Sequence, residues 1–270
     1  MLWLRLLRFT RELLVLMKYI KDKAIILSTR DYGEADLLVA FLTRHHGKVA
    51  GVAKHARKSK RRFVNSLGTF NLVEIEYGEK AFPSLVFVKK AVLAESFSML
   101  RRDIVKLSCA GLVAEAIKEM VPERMVQPEV FDLLFGTLTE ISISKDPVST
   151  SCLSLWRLIV MAGLTPRLDL CLVCKKKISK NGIWYFDPVT GGTVCKDHID
   201  NKKAASSLIS FGIISLLEKA RHVEIEKLWR FKFRPEDRDV VLKMLARYVE
   251  FHIEKPLKSM NVLSQIDHVI

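Results

Sequence analysis

Four side chains that could bind a metal lie in two short pairs in the second half of the chain. Cys171 and Cys174 are separated by two residues, and Cys195 and His198 repeat that spacing after twenty intervening residues. Thiolate sulfur and imidazole nitrogen are the ligands of structural zinc, and each pair offers two of them from one tight turn. The spacing therefore predicts a closed tetrahedral site in which zinc supplies much of the local folding energy.

Three other chemistries use the same residue types. A redox dithiol fits less well, because it needs a βαβ context after Cys174 and has no use for a second pair. A zinc deaminase requires His-x-Glu ahead of Pro-Cys-x-x-Cys, whereas both His-x-Glu sequences here follow the cysteines and Leu170 takes the place of the proline. A catalytic zinc would keep one position open for water, whereas four nearby ligands close the shell. Structural zinc is therefore the predicted cofactor.

The second group of candidate residues is a run of cations, residues 44–62. Its nineteen residues carry eight lysines and arginines and no acidic residue, in a chain whose formal net charge is +14. Such a local excess is expected of a protein that binds nucleic acid or an anionic surface. The candidate DNA-binding residues are Arg44, Lys48, Lys54, His55, Arg57, Lys58, Lys60, Arg61 and Arg62. The alternative is a solvated run of charges that binds nothing.

Other possible sites are less well defined by the sequence. We predict His45, His46 and His55 to be further partners for phosphate, because no carboxylate or nucleophile pattern accompanies them. Two smaller basic clusters occur at residues 175–180 and 227–234, and either can be only a solvated face. No P-loop, Gly-x-Ser-x-Gly elbow, dinucleotide fingerprint or paired-acid arrangement occurs. The sequence therefore predicts a binding protein and not an enzyme.

Composition limits the class of protein. Of the 270 residues 49% are hydrophobic and 27% charged, which is typical of a globular protein large enough for more than one core. The five cysteines are an odd number, and two of them lie in apolar helical patterns, so we expect a reducing cytoplasm. No apolar run reaches the length of a membrane span. Residues 1–16 lack the features of a signal peptide and are interpreted as an extension, either loose or from an upstream start codon.

The elements that would position the cations form a β-rich domain at residues 17–95. Five short runs with strand character lie between residues 23 and 93, and the longest insertion falls between the third and fourth. This pattern predicts an OB-fold β-barrel, with an SH3-like barrel as the alternative. Phe63, Phe70 and Tyr77 could stack on bases, but aromatic residues in alternating strands are more often buried.

Beyond residue 96 the apolar period changes from two to about 3.6, which predicts helices. We expect them at residues 103–120, 126–143, 147–164 and 206–220 and in a long run after Pro235. The predicted fold class is thus α+β multidomain: the OB barrel is followed by a helical domain, residues 96–168 and 201–256. An inserted zinc-ribbon-like module occupies residues 169–200, and a partly loose tail residues 257–270.

Taken in order, short segments of the chain from Met17 onward resemble the bacterial RecO recombination mediator family. The segments that carry the resemblance are Arg30-Asp-Tyr-Gly-Glu34 with Thr43 and Gly47, residues 52–57, residues 68–72, residues 163–168 running into Cys171 to Cys174, and Gly191-Gly192 ahead of Cys195. The resemblance implies an OB domain and a helical domain with a zinc module. In that family the fourth zinc ligand is usually cysteine, so His198 departs from the pattern, and members without metal exist.

The resemblance also implies a function without catalysis. That function is to bind single- and double-stranded DNA, to anneal complementary strands, and to help load recombinase onto single strands coated with single-strand-binding protein (SSB). RecR and the acidic C-terminal tail of SSB would be partners. Two alternatives remain: an RNA-binding, ribosome-associated protein, for which the 2′-hydroxyl would matter, and a zinc-dependent hydrolase, which needs an open metal position.

Overall fold

The structure is a computed structural model that describes residues 18–79, 85–199 and 206–266, so the predicted extension at residues 1–16 lies outside it. The chain divides into two compact units. The barrel unit runs to Ser96 and includes Glu123–Phe131, and the helical unit contains Phe97–Pro122 and the chain from Asp132 onward. In the part of the chain that the structure describes, no helix is both long enough and apolar enough to cross a membrane.

Five strands form the barrel unit: β1 (Lys18–Tyr32), β2 (Asp36–Thr43), β3 (Gly47–Ala53), β4 (Leu72–Glu79) and β5 (Val86–Glu95). They close into a barrel in the order β1-β2-β3-β5-β4, because β4 pairs back onto β1. The β3–β5 pair is parallel and the other pairs are antiparallel. This arrangement is that of an OB barrel, so the predicted fold class is confirmed.

The first strand is long because it serves both of its neighbours. The fifteen residues of β1 pair with β4 from Lys18 to Ile25 and with β2 from Ala24 to Tyr32. A register shift between Ile26 and Ser28 marks a bulge, and bulges bend a strand and increase its twist. The bend lets one strand close the barrel.

The barrel is filled by inward-facing apolar side chains, among which Ile26 and Phe41 are fully buried. Phe63, Phe70 and Tyr77 are 6%, 6% and 0% exposed, and the Tyr77 ring packs edge-on against Phe41 with centroids 5.5 Å apart. The prediction that these three aromatic residues are core residues is confirmed. They offer no open face on which a base could stack.

The turn between β2 and β3 requires glycine at position 47. Gly47 has a φ of 69°, and a Cβ atom there would lie 2.2 Å from the carbonyl oxygen of Met125. The approaching segment is bonded to β3, since the Arg124 N–H donates to the Lys48 carbonyl oxygen at 2.9 Å. Residues Glu123–Phe131 thus belong to the barrel unit although they follow the helix Ile104–Met120.

The helical unit contains α1 (Ile104–Met120), α2 (Pro128–Ile143, whose first turn is in the barrel unit), α3 (Pro147–Met161), α4 (Phe211–Ala220), α5 (Ile225–Leu228), α6 (Pro235–Ile253) and α7 (Lys258–Gln265). Two of them begin at an aspartate whose side chain caps the helix. Asp103 accepts from the N–H groups of Val105 and Lys106, and Asp146 accepts from the Ser149 N–H. The first three helices lie where the apolar period predicted them, to within a few residues.

One predicted helix begins later than expected. Residues 206–220 were expected to be helical, but β8 (Ser207–Ile209) pairs with β6 (Trp184–Asp187), which also pairs with β7 (Gly192–Cys195). Ile209 pairs with Trp184 and is buried, so its apolar character reflects a strand. Ser210 then accepts a hydrogen bond from the Ile213 N–H at 3.2 Å and starts α4.

The tail at residues 257–270 was predicted to be partly loose, and its described part contains a helix that is fixed to the rest of the unit. The carboxylate of Glu115 on α1 accepts from the Lys258 N–H at 2.9 Å and from the Ser259 N–H at 2.8 Å, which starts α7. Leu257 and Leu263 are fully buried. The capping side chain lies more than 140 positions away in the sequence, so no local pattern could reveal it.

Candidate metal centre and nucleic-acid interface

The four predicted metal ligands come together in the helical unit and are called the metal cluster below. One donor atom from each of Cys171, Cys174, Cys195 and His198 lies within 4.8 Å of the others. The sulfurs of Cys174 and Cys195 are 3.9 Å apart, and Cys195 Sγ lies 3.1 Å from His198 Nδ1. Cys171 and Cys195 are buried, whereas Cys174 and His198 are exposed. The cluster could hold a metal ion near the surface of the unit.

Backbone hydrogen bonds fold each pair of ligands into a tight turn. The Lys175 N–H donates to the Cys171 carbonyl oxygen at 2.9 Å, and the Cys171 N–H donates to the Lys176 carbonyl oxygen at 2.8 Å. Lys175 has a φ of 60°, the left-handed conformation that turns the chain back on itself. The second turn is closed by the His198 N–H, which donates to the Cys195 carbonyl oxygen at 3.0 Å.

The surroundings of the cluster shift the pKa values of two of its thiols in opposite directions. Burial raises the pKa of the Cys171 thiol, but the N–H donors of Cys174, Cys195 and Val173 have the larger combined effect and lower the pKa to about 6. Burial raises the pKa of Cys195, and the sulfurs of Cys171 and Cys174 raise it as well. Because the thiolate is the form that binds metal, Cys171 is ready to bind at neutral pH. A bound cation would also favour loss of the proton from Cys195.

A small apolar core supports the metal cluster. Trp184 on β6 is 1% exposed, pairs in register with Cys195 and donates from Nε1 to the Ser179 carbonyl oxygen at 3.0 Å. Phe186 on the same strand packs edge-on against Tyr248 of α6, with ring centroids 5.4 Å apart. The sequence predicted that zinc supplies much of the local folding energy here. The structure shows that this insertion packs against the helices of its own unit, a contact that spacing alone could not predict.

The predicted run of cations is divided between the two ends of β3. Arg44 lies in the β2–β3 turn and Lys48 at the start of β3, whereas Lys54 follows the last residue of that strand. At about 3.3 Å per residue, the seven residues of β3 separate the two groups by roughly 20 Å. The third predicted strand is thus confirmed as β3, and the larger group of cations is the one that follows it.

This larger group, residues 54–62, is called the barrel loop. Lys54, His55, Arg57, Lys58, Lys60 and Arg61 are exposed or half-buried, and Arg62 is half-buried. The loop is fixed to the barrel near both ends: the Arg57 N–H donates to the Ala35 carbonyl oxygen at 3.1 Å, and the Ala91 N–H donates to the Arg62 carbonyl oxygen at 3.0 Å. Its backbone is held while most of its charged groups face solvent.

The β1–β2 turn places carboxylates beside the barrel loop, although the run of cations itself has none. Asp36 Oδ1 accepts from the His55 N–H at 2.7 Å, and Asp31 Oδ2 lies 3.3 Å from Arg57 Nη1. The Arg57 and Asp31 side chains are 47% and 66% exposed, so their ion pair is worth little and can be exchanged for another anion. The β-hairpin that joins β1 to β2 creates this proximity.

The expectation that no carboxylate accompanies His45 and His46 is wrong. The Nδ1 atoms of His45 and His46 lie 2.9 Å and 2.8 Å from the two carboxylate oxygens of Asp22, whose side chain is only 3% exposed. Burial raises the pKa of Asp22, but the contacts with the two histidines and the N–H groups of His45 and Lys23 outweigh burial. The pKa of Asp22 therefore lies below the usual value of an aspartate. The three residues clamp the β2–β3 turn to β1. The pairing of Ala24 with Thr43 in the sheet brings residue 22 close to residue 45.

The two smaller basic clusters differ in their surroundings. In the cluster at residues 227–234, Lys227 Nζ lies 2.6 Å from Glu224, and Arg234 contacts both Glu236 and Asp237. Lys175, Lys176, Lys177 and Lys180 in the other cluster are all exposed. The first cluster is thus partly neutralised by its own neighbours, whereas the second extends from the turn that contains Cys171 and Cys174.

Fold and site define a class of protein: an OB barrel with a cationic loop, followed by a helical unit that carries a cluster of three cysteines and a histidine. Two family models match the chain in succession, "Recombination protein O N terminal" over residues 17–97 and "Recombination protein O C terminal" over residues 101–261. The chain belongs to the RecO family of DNA repair proteins.

Similar proteins from several bacteria carry the same description. The DNA repair protein RecO of Syntrophobacter fumaroxidans is 35% identical over 249 residues, which cover 92% of this chain and 98% of that protein. The DNA repair protein RecO of Desulfatibacillum aliphaticivorans is 32% identical over 255 residues, covering 93% and 98%. That of Syntrophus aciditrophicus is 27% identical over 252 residues, covering 92% and 96%. The similarity therefore extends over both units.

Proposed function

We propose that the protein is a recombination mediator that binds single- and double-stranded DNA through the barrel loop. The observation that carries this proposal is the group of solvent-facing cations, Lys54 to Arg61, on the surface of a closed OB barrel. OB barrels bind single strands along a basic groove, and contacts to phosphate are shared by all sequences. Because Phe63, Phe70 and Tyr77 are buried, we expect phosphate contacts to supply more of the affinity than stacking on these rings.

Arg44 and Lys48 would take part in a different way. They lie at the far end of β3 from the barrel loop, so one strand would contact both groups only if it followed the length of β3. The clamp formed by Asp22 with His45 and His46 would then act indirectly, by fixing the turn that carries Arg44.

The proposal includes the finer function of the RecO family. The protein would anneal complementary strands and help load recombinase onto SSB-coated single strands, with RecR and the acidic C-terminal tail of SSB as partners. It would act by binding, without catalysis, at the nucleoid. Cations that neutralise phosphate reduce the repulsion between two strands, which is the physical requirement for annealing.

We further propose that the metal cluster binds one structural Zn²⁺. Two sulfurs that each lie about 2.3 Å from a tetrahedral zinc ion stand about 3.8 Å apart, close to the 3.9 Å between Cys174 and Cys195. Three thiolates and an imidazole are a donor set that suits zinc. Cys171, Cys174, Cys195 and His198 would hold the ion, and the ion would join the two turns that carry them. Four protein ligands favour a structural role over the hydrolase alternative.

A strand-annealing assay tests the proposed function. Complementary single strands coated with SSB are mixed with the purified protein, and duplex formation is followed by energy transfer between dyes on the two strands. We expect the protein to accelerate duplex formation and a variant of the barrel loop, R57A/K58A/R61A/R62A, to accelerate it much less. No acceleration by the unchanged protein would contradict the mediator function. Stronger competition by single-stranded RNA than by DNA of the same sequence would favour the RNA-binding alternative.

A further inference from the structure

The turn that carries Cys171 and Cys174 is also the start of a strongly cationic segment. Residues 170–186, called the lysine loop, contain four lysines and no aspartate or glutamate. Lys175, Lys176, Lys177 and Lys180 are all exposed. Nothing in the barrel-loop proposal uses these charges, which belong to the other unit.

The acidic residues that flank the lysine loop are already engaged. Asp169 Oδ1 lies 3.0 Å from Arg167 Nε, and this bond is the main cause that lowers the pKa of Asp169, with a smaller contribution from Lys177. Asp187 is 5% exposed and accepts a hydrogen bond from the Val189 N–H at 3.0 Å. Within the described residues, no carboxylate lies at ion-pair distance from any of the four lysines.

The backbone of the lysine loop is held by the turn that presents the metal ligands. Lys175 and Lys176 exchange backbone hydrogen bonds with Cys171, and Lys177 forms an antiparallel bridge with Leu170. Beyond them, the Ser179 carbonyl oxygen accepts bonds from the Gly182 N–H and from the indole of Trp184. The lysines are therefore carried on a fixed frame, which lowers the entropic cost of binding a ligand.

Lys175 Nζ donates to the Leu172 carbonyl oxygen at 2.7 Å, and the four lysines remain exposed and without an ion pair among the described residues. From this frame and these exposed charges we propose that the lysine loop is a second binding site for the phosphate backbone of nucleic acid. Lysine contacts phosphate as a point charge and needs no pocket, whereas recognition of a peptide usually depends on an apolar anchor. The exposed large apolar residues of this loop, Val173 and Ile183, are 56% and 49% exposed, so they give a peptide little in which to bury its side chains. Trp184 is buried, so no stacking is expected from it.

The location of this site stands on the lysine loop alone, and only the class of its ligand rests on the proposed function. A metal bound by Cys171 and Cys174 would stiffen the same turn, so we expect metal content and the contribution of this site to change together. A second site on a separate unit would let one chain hold a strand that the barrel loop does not.

The test compares full-length variants that lose equal charge. The variant K176A/K177A/K180A removes three lysines of the loop, and the control K227A/K243A/K255A removes three lysines of the same unit that are paired with Glu224, Asp239 and Glu119. Binding of labelled single-stranded and duplex DNA is measured across a range of salt concentrations, and metal content and thermal unfolding confirm that each variant is folded. We expect the lysine-loop variant to lower the log–log salt slope by about 2 on single strands, and the control to lower it much less. K176R/K177R/K180R should restore the slope.

Combination with the barrel-loop variant R57A/K58A/R61A/R62A separates this proposal from the first one. If both sites bind, each variant lowers the slope and the combined variant lowers it further. If only the lysine-loop variant has an effect, the second site stands and the barrel loop fails. Equal slopes for the lysine-loop variant and its control, on both single strands and duplex, would overturn the second site. Equal slopes together with a selective loss of binding to poly-glutamate would assign the loop to an acidic polypeptide instead.

Discussion

The barrel loop and the metal cluster hold their functional residues in opposite ways. The barrel loop lies on a closed sheet with its own apolar core, and its solvent-facing cations contribute little to that core. In the metal cluster the candidate ligands are themselves part of the framework, because Cys171 and Cys195 are buried and hydrogen bonded within their turns. Substitutions in the barrel loop should therefore change binding without changing the stability of the fold. Substitutions in the metal cluster should change metal binding and stability together.

The largest expected effect is that of Cys171→Ser. Loss of one of four ligands should abolish stoichiometric metal binding and lower the stability of the helical unit, because binding energy at a structural zinc site is folding energy. We expect about one equivalent of zinc in the unchanged protein and almost none in the variant, measured by elemental analysis. DNA binding by the barrel loop should persist at temperatures where the variant stays folded.

Cys109→Ser is the matched control for this substitution. Cys109 is a buried cysteine of α1 that does not belong to the metal cluster. The control should keep its metal even if it loses some stability. Full metal content in Cys171→Ser, or equal loss in both variants, would show that the cluster does not bind the ion as proposed.

Gly47→Ala should damage the barrel unit without affecting the metal. A Cβ atom at this position would lie 2.2 Å from the Met125 carbonyl oxygen, and alanine is strained at a φ of 69°. We expect a loss of about 2–4 kcal/mol in the free energy of unfolding, measured by urea denaturation. Gly33→Ala is the control, because Gly33 has a similar φ of 64° but no atom within 4 Å of the position that a Cβ would take, and it should cost only about 1 kcal/mol. Equal losses would mean that the close approach of Met125 is unimportant.

Asp22→Asn should weaken the clamp on the β2–β3 turn in a pH-dependent way. The pKa of Asp22 is lowered in the folded protein, so the charged carboxylate stabilises the fold above the pKa of the unfolded chain, about 4, and this stability is lost as the pH falls through the folded value. We expect the variant to be less stable by about 1–3 kcal/mol at neutral pH, with the difference narrowing below about pH 4. Thermal unfolding measured from neutral to acidic pH follows this difference. Asp31→Asn, at an exposed ion pair, should change stability by less than about 1 kcal/mol, and a pH-independent loss in Asp22→Asn would contradict the role of charge.

The smallest effect is expected from His198→Cys. Thiolate is also a zinc ligand, and His198 is exposed, so the substitution should keep the metal and leave thermal stability within about 1 kcal/mol of the original. His198→Ala should release the metal at lower chelator concentrations than the unchanged protein or His198→Cys. If His198→Ala retains the ion as tightly as the unchanged protein, His198 is not the fourth ligand.

Local patterns in the sequence predicted the elements of the fold well. Short runs of strand character bounded by turn residues indicated the five strands, and the change of period indicated α1, α2 and α3, since burial of one face imposes such patterns on the chain itself. The spacing of Cys171, Cys174, Cys195 and His198 predicted their meeting for the same reason, because each pair lies within one turn. Features that depend only on neighbouring residues can therefore be predicted from short stretches of sequence.

Contacts between distant segments could not be predicted in this way. The cap that Glu115 provides for α7, and the contacts of Asp22 with His45 and His46, join residues that are far apart in sequence. Apolar residues at positions 208 and 209 fit a helix and a strand equally well, and only pairing with β6 decides between them.

The salt dependence of DNA binding tests directly whether the barrel loop binds the phosphate backbone. R57A/K58A/R61A/R62A is compared with K227A/R234A/K243A/K255A, which removes four cations that are ion-paired in the helical unit. If the barrel loop binds the phosphate backbone, the first variant should lower the log–log slope on single strands by about 0.7 for each phosphate that is no longer neutralised, up to about 3, equally for different sequences, and the control should change it much less. An unchanged slope in the barrel-loop variant, with normal thermal unfolding, would show that the barrel loop does not bind the phosphate backbone.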